Sequence, residues 1–325
     1  MKKYLFLFVI YLYSICLISC NNGENGEKKS SKDSTTTTNL ATATAPDPCE
    51  GIGVIDDCEN RGGLGNIIID DATGKTMMGN FILTYRRDDN GNIIHALDST
   101  YWVDVNTIFA IETFLKTTLD PVTKKPMYDG IRIHMACEVN PAGFPGQSYR
   151  NKTGLYIFPT KFRQNPPRGK SEHKDDKVKI TMPAGSFSPY LENNSIAGPK
   201  INKFDEIYRR ITMPGPQQKL AFSNSIWIDS CVVFVIAKLL RLPKANLDGV
   251  NINLAAYSNQ DPQTRPSQEF ANQSTVIIVP TSLKDGKHEN NWDIVDCLYQ
   301  HMVKILPLAP PGGFNHGELC PNKCD

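Results

Sequence analysis

The strongest constraint on the fold is that the chain resembles itself. Tyr101-Trp102-Val103-Asp104 recurs as Ile226-Trp227-Ile228-Asp229, and FAIETFLK from Phe109 to Lys116 recurs as FVIAKLLR from Phe234 to Arg241, both at an offset of 125 residues. Asp129-Gly130-Ile131-Arg132-Ile133 then matches Asp248-Gly249-Val250-Asn251-Ile252, and Tyr156-Ile157-Phe158-Pro159-Thr160 matches Ile277-Ile278-Val279-Pro280-Thr281. Upstream, Tyr85-Arg86-Arg87 faces Tyr208-Arg209-Arg210. Ordered blocks with small changes of spacing are the mark of a repeated structural unit. Two copies are too few for a solenoid, so the pattern predicts an internal duplication.

Each copy can be read locally. Met77, Met78, Phe81, Ile82 and Tyr85 recur at spacings of three and four, which predicts a helix over 72–87, broken by Asp88-Asp89-Asn90-Gly91. A strand over 97–103 follows, and Asp104 is placed to cap a helix over 105–117 by accepting its orphan amide protons. Asp229 stands in the same place before the second copy's helix, which is apolar nearly all round and is expected in the interior. Two strands separated by a polar loop close each copy, over 130–138 and 153–159 and again over 249–257 and 274–280. In the first of these, Ile131, Ile133, Met135 and Cys137 alternate with Arg132, His134, Ala136 and Glu138, which predicts one core face and one wet face.

The fold class that follows is α+β: two similar helix-strand-helix-strand-strand units, with mixed or antiparallel sheets and helices packed on one face. Along the chain this divides into a signal segment (1–19), a disordered tether (20–48), an N-terminal extension (49–71), repeat unit 1 (72–162), a basic and polar linker (163–194), repeat unit 2 (195–285) and a C-terminal helix with a cysteine-containing tail (286–325). The tether has no aromatic residue and cannot bury enough apolar area to offset its ordering entropy. Residues 161–180 hold seven Lys or Arg against three Asp or Glu, and the interleaved acids together with Pro166-Pro167 and Gly169 read as a solvated loop.

The first residues set the compartment. Lys2 and Lys3 precede an apolar run, Tyr4 to Leu17, too short to span a bilayer as a helix. Leu17-Ile18-Ser19-Cys20 behind it resembles the lipobox of bacterial lipoproteins. That resemblance implies cleavage before Cys20 and acylation of its thiol and amine, with palmitate-type chains anchoring the protein to a membrane and the body facing periplasm or exterior; the outer membrane is favoured over the inner, with the choice between them open. Several acyl chains anchor durably where one holds weakly. The whole chain carries 35 basic and 34 acidic residues, and losing Lys2 and Lys3 leaves it close to neutral, so no nucleic-acid partner is expected.

The order of elements, with its Trp-containing strand, Asp-Gly-Ile-Arg-Ile strand, apolar strand ending in Pro-Thr, and Asn315-His316-Gly317-Glu318-Leu319-Cys320-Pro321 behind them, resembles a group of uncharacterised Bacteroidetes-type envelope lipoproteins with an internally duplicated domain. The resemblance implies a fold and a compartment and brings no catalytic residue with it.

Nine cysteines leave seven once Cys16 departs with the signal and Cys20 takes lipid. Cys49 with Cys58 and Cys320 with Cys324 are the disulfide candidates, their connectivity open. Cys137 takes the place of Ala256 in the second copy and reads as a small buried thiol, while Cys231 and Cys297 sit in apolar helical surroundings and read as reduced. His316, Cys320 and Cys324 offer metal-binding atoms without an evident fourth ligand, so no metal site is expected, and no cofactor.

Arg132, His134 and Glu138 share one strand face and form the most enzyme-like set, with a cation, a base and a carboxylate. They define the alternative reading, an envelope hydrolase working on the polar face of repeat unit 1. Loops 139–152 and 258–273 carry Phe144, Tyr149, Arg150, Arg265 and Phe270, types suited to holding another molecule. The reading preferred on sequence is a lipid-anchored envelope protein that binds a protein or glycan partner through those loops and that polar face, and is not an enzyme.

Overall fold

The computed structural model describes residues 69–85, 98–137, 153–165, 171–208, 223–257 and 273–297. In chain order they form α1 (Asp71–Tyr85), β1 (Thr100–Asp104), α2 (Val105–Thr117), β2 (Gly130–Cys137), β3 (Thr153–Phe162) and β4 (His173–Asp175), then α3 (Asn194–Tyr208), β5 (Ser225–Asp229), α4 (Ser230–Leu240), β6 (Leu247–Ala256), β7 (Ser274–Lys284) and β8 (Lys287–Asn290). The fold is α+β with antiparallel sheets. The two halves carry the same succession of elements, and each ends in one more strand than the pattern predicts, β4 inside the segment read as a linker and β8 after the end of repeat unit 2.

Local chemistry sets the helix starts where the sequence places them. The Asp104 carboxylate accepts from the Asn106 and Thr107 amides, and the Asp229 carboxylate accepts from the Cys231 amide. Both aspartates end a strand and begin a helix with no intervening loop, so the strand direction aims the helix. As expected, α4 is an interior helix, with nine of its residues buried, from Ser230 to Leu240.

The sheets do not follow the sequence halves. One runs β1-β6-β7-β8 and the other β4-β3-β2-β5, so the first strand of each half completes the sheet of the other half. The registers match. Trp102 lies opposite Asn251 and Asp104 opposite Gly249, while Trp227 lies opposite Arg132 and Asp229 opposite Gly130. The backbone bonds beyond the strand starts match as well, Leu254 N to Ser99 O and Met135 N to Asn224 O, both 2.8 Å. The leading helices cross with their strands, α1 packing on β6 and α3 on β2. Helices α2 and α4 pack against each other at the centre, and one apolar core draws side chains from both sheets and both halves.

This exchange removes the wet face that alternation predicts for β2. Seven of its eight residues are buried and only His134 is intermediate. Ala136, with Tyr156 and Phe158 of β3, forms a second small core with Ala197 and Ile201 of α3. Helices therefore cover both faces of this sheet, where the sequence suggested one. Alternation reports which residues share a face; a helix arriving from a distant part of the chain decides whether that face meets water.

Among the cysteines, Cys137 is fully buried, as read from its strand position. Cys231 and Cys297 are each disulfide-bonded, not reduced. Apolar surroundings suit a bridge as well as a thiol, so their local pattern could not separate the two states.

The Asp-Gly pair at the head of β2 and β6 has a steric cause. A Cβ on Gly130 would stand 2.3 Å from the Ile228 carbonyl oxygen and 2.8 Å from Trp227 Nε1; on Gly249 it would stand 2.4 Å from the Val103 oxygen and 2.8 Å from Trp102 Nε1. The obstructing atoms at each glycine belong to the exchanged strand of the other half. Gly130→Ala and Gly249→Ala should each destabilise the protein by about 2–3 kcal/mol through forced backbone displacement, whereas Gly154→Ala, with open space at its Cβ, should be tolerated. Chemical denaturation of the three variants checks this.

Candidate functional site

Each exchanged strand delivers a tryptophan into a polar socket on the other half. Trp227 Nε1 donates to Thr160 Oγ1 at 3.0 Å, Thr160 Oγ1 donates to Asp129 Oδ1 at 2.6 Å, and Asp129 Oδ2 meets His173 Nδ1 at 2.9 Å. The His173 ring lies flat on the indole, with centroids 3.5 Å apart and planes 12° from parallel. The second socket repeats the first. Trp102 Nε1 donates to Thr281 at 3.2 Å, Thr281 donates to Asp248 at 2.6 Å, Asp248 meets His288 Nδ1 at 2.6 Å, and the His288 ring stacks on Trp102 at 3.7 Å.

Beneath the first stack lies a buried charge cluster. Arg132 is 2% exposed. Its Nε stands 2.8 Å from Asp175 Oδ1, and its Nη2 donates to Ser171 Oγ at 2.8 Å and to the His173 carbonyl oxygen at 2.6 Å. His134 Nε2 lies 2.7 Å from Asp175 Oδ2, so one carboxylate holds both side chains. Burial alone would push the Asp175 carboxyl up, but His134 and Arg132 beside it hold it below the usual carboxylate range. At the corresponding place in the other half the cluster is neutral: Asn251 Nδ2 donates to the His288 carbonyl oxygen at 3.2 Å and to Asn290 Oδ1 at 2.8 Å. Arg132 thus stands to Asp175 as Asn251 stands to Asn290, a charged pair in one half and an amide pair in the other.

Of the site residues singled out on sequence, the structure brings Arg132 and His134 together on Asp175. Glu138, Phe144, Tyr149, Arg150, Arg265 and Phe270 lie outside the described residues, as do Cys20, Cys49, Cys58, Cys320 and Cys324. Asp129, Thr160, His173, Asp175 and the two tryptophans were not read as a constellation. A signal for them existed. His173-Lys174-Asp175 and His288-Glu289-Asn290 form another repeated block, short enough to escape notice until the sheet pairs it with Pro-Thr and Asp-Gly.

A different region offers concave surface. Asn106, Phe109, Thr113, Phe114 and Thr117, spaced along one side of α2, face Met182 across a groove of about 450 Å³, a volume in the small-ligand range. Its lining carries no ionisable side chain, so it can hold an uncharged group and has nothing with which to move a proton. At the same positions of α4, Cys231 and Leu239 are buried, and Phe234 and Lys238 are half-buried. Arg241 stacks on Phe109 with its guanidinium 4.2 Å from the ring centre and pairs with Glu112, which fixes the floor of the groove against α4. Glu112 is buried, which would raise its pKa, but Arg241 and Lys116 hold it below the usual range.

Comparison with known proteins finds no family model, no curated protein and no solved structure that matches the chain.

The charged cluster makes a prediction about stability. Arg132→Asn or Asp175→Asn alone removes one partner from a buried pair and should cost about 3 kcal/mol, while the double substitution, which writes the other half's amide pair into this site, should recover most of that loss. Urea melts of the four proteins check this. Because the folded-state pKa of Asp175 is depressed, its contribution is complete above about pH 4, where the unfolded carboxyl is ionised. It is lost as pH falls through the folded value. The double variant should accordingly lose less stability than the parent as pH falls below about 4.

Proposed function

We propose that the chain is a lipid-anchored cell-envelope protein that acts by binding a protein or glycan partner, not by catalysis. The observation that carries the binding half of this reading is the commitment of Arg132. The guanidinium of the most enzyme-like residue is buried and engaged by Asp175, Ser171 and the His173 carbonyl, so it has no free edge to offer a substrate. His134 is held by the same carboxylate. Both positions are amides in the other half, Asn251 and Asn253, which suits a scaffolding role better than a reaction. The uncharged groove on α2 is the described surface best suited to a partner, beside the loops that the sequence singles out.

The anchoring half rests on the lipobox-like Leu17-Ile18-Ser19-Cys20 and on the polar stretch behind it, long enough to hold the body off the lipid surface. No helix among the described residues is long and apolar enough to cross a membrane, so attachment would fall to Cys20. Oxidised Cys231 and Cys297 fit an exported chain. The family resemblance to Bacteroidetes-type envelope lipoproteins points to the same compartment.

Two measurements test the two halves of the proposal. Cys20→Ser should move the mature protein from the membrane to the soluble fraction, and continued partitioning with membranes would overturn the anchor. A photo-crosslinking amino acid at position 113, in the groove, should yield a discrete covalent adduct in intact cells; the same residue at exposed Val122 should not. Equal labelling at both positions would remove the groove from the binding surface.

A further inference from the structure

We infer that the two halves of the chain are obligate partners joined by an exchange interface, and that the protein is the fused form of an exchanged dimer. Each half gives up its leading helix and first strand to the other. A half taken alone would have β2, β3 and β4, or β6, β7 and β8, with one sheet edge unpaired, one sheet face uncovered and a tryptophan with no socket. These are the features that association buries.

The geometry is that of an isologous interface, in which the same surface is used twice. On one side Trp227 enters the socket of Thr160, Asp129 and His173; on the other Trp102 enters that of Thr281, Asp248 and His288. Gly130 and Gly249 clear the same path for the incoming strand, in the same register. Tryptophan anchors in matched pockets are characteristic of interfaces between separate chains, and here two of them close within one chain. At the centre α2 and α4 meet across the pseudo-twofold, with Lys116 over the Phe234 ring at 4.6 Å and Arg241 over the Phe109 ring at 4.2 Å, again a reciprocal pair.

The polar clusters under the sockets record how the halves diverged. Arg132 and Asp175 both belong to the first half, and Asn251 and Asn290 both belong to the second. Each pair is self-sufficient, so each half kept its own buried polar group satisfied while the shared sockets stayed the same. That is the pattern expected if the halves began as copies that had to fit one another throughout.

A cut chain tests the inference. A protease site inserted between Gly185 and Ser186, at an exposed turn between β4 and α3, would allow the folded full-length protein to be divided into its halves. With reductant present to open any bridge across the cut, the pieces should co-elute at the mass of the intact chain. Their melting temperature should rise with concentration, whereas that of the uncut chain should not. After separation in denaturant, neither piece alone should melt cooperatively, and mixing them should restore the transition. Pieces that part in native buffer, or either piece melting cooperatively alone, would overturn the inference.

A second measurement needs no cut or reductant. In intact Gly249→Ala, hydrogen exchange should quicken in β1 of the first half together with β6, while β5 and β2 stay protected. Acceleration confined to the second half would equally overturn it.

Discussion

The structure depends on the pairing of β1 with β6 and of β5 with β2. Through these two pairings a strand from one half supplies the outer strand of the other half's sheet, and three further features follow from it. The helix ahead of each strand is carried across with it, so α1 lies on β6 and α3 on β2. The helix behind each strand starts at its capping aspartate, so α2 and α4 are brought to the middle, where they pack on each other. The tryptophan in each strand lands in a socket that the other half builds from a threonine, an aspartate and a histidine. One apolar core results, and neither half owns it.

The same pairing explains why the polar residues of β2 are structural. Once α3 covers the sheet and the short strand β4 extends its edge, an arginine there must be neutralised, and Asp175, opposite Thr160 on β4, does it. Burying an ion pair costs solvation that the pair must recover through geometry and further hydrogen bonds, and here Ser171, the His173 carbonyl and His134 supply them. The second half meets the same requirement with two amides. Chemistry that reads on the strand as a cation beside a base becomes, in the folded protein, one of two ways of filling the same space. The groove along α2 is lined by uncharged side chains.

Much of this organisation was legible in the residues. The aspartate caps and the apolar girth of α4 report local interactions, and they appear in the structure where expected. Legibility ended where contacts span halves. Asp175 lies 43 residues along the chain from Arg132 in a stretch whose composition is that of a solvated loop. Three residues of strand are too few to leave a periodic signal, and β4 exists because β3 offers it an edge. The exposure expected for His134 and Arg132 failed for a related reason. The helix that covers them begins at Asn194, at the far end of the segment read as a linker.

The sequence by itself determined the class of fold, the places where helices begin, and the lipobox-like start that directs the reading of the compartment. These follow from backbone propensity, capping and apolar patterning, which act over a few neighbours. Only the tertiary structure decided which strands pair, which faces are covered, that the tryptophans and the histidines stacked on them join the halves, and that Arg132 is paired within the first half. The pairings of β1 with β6 and of β5 with β2 join residues more than ninety positions apart, and contacts at that separation lie beyond the reach of local rules.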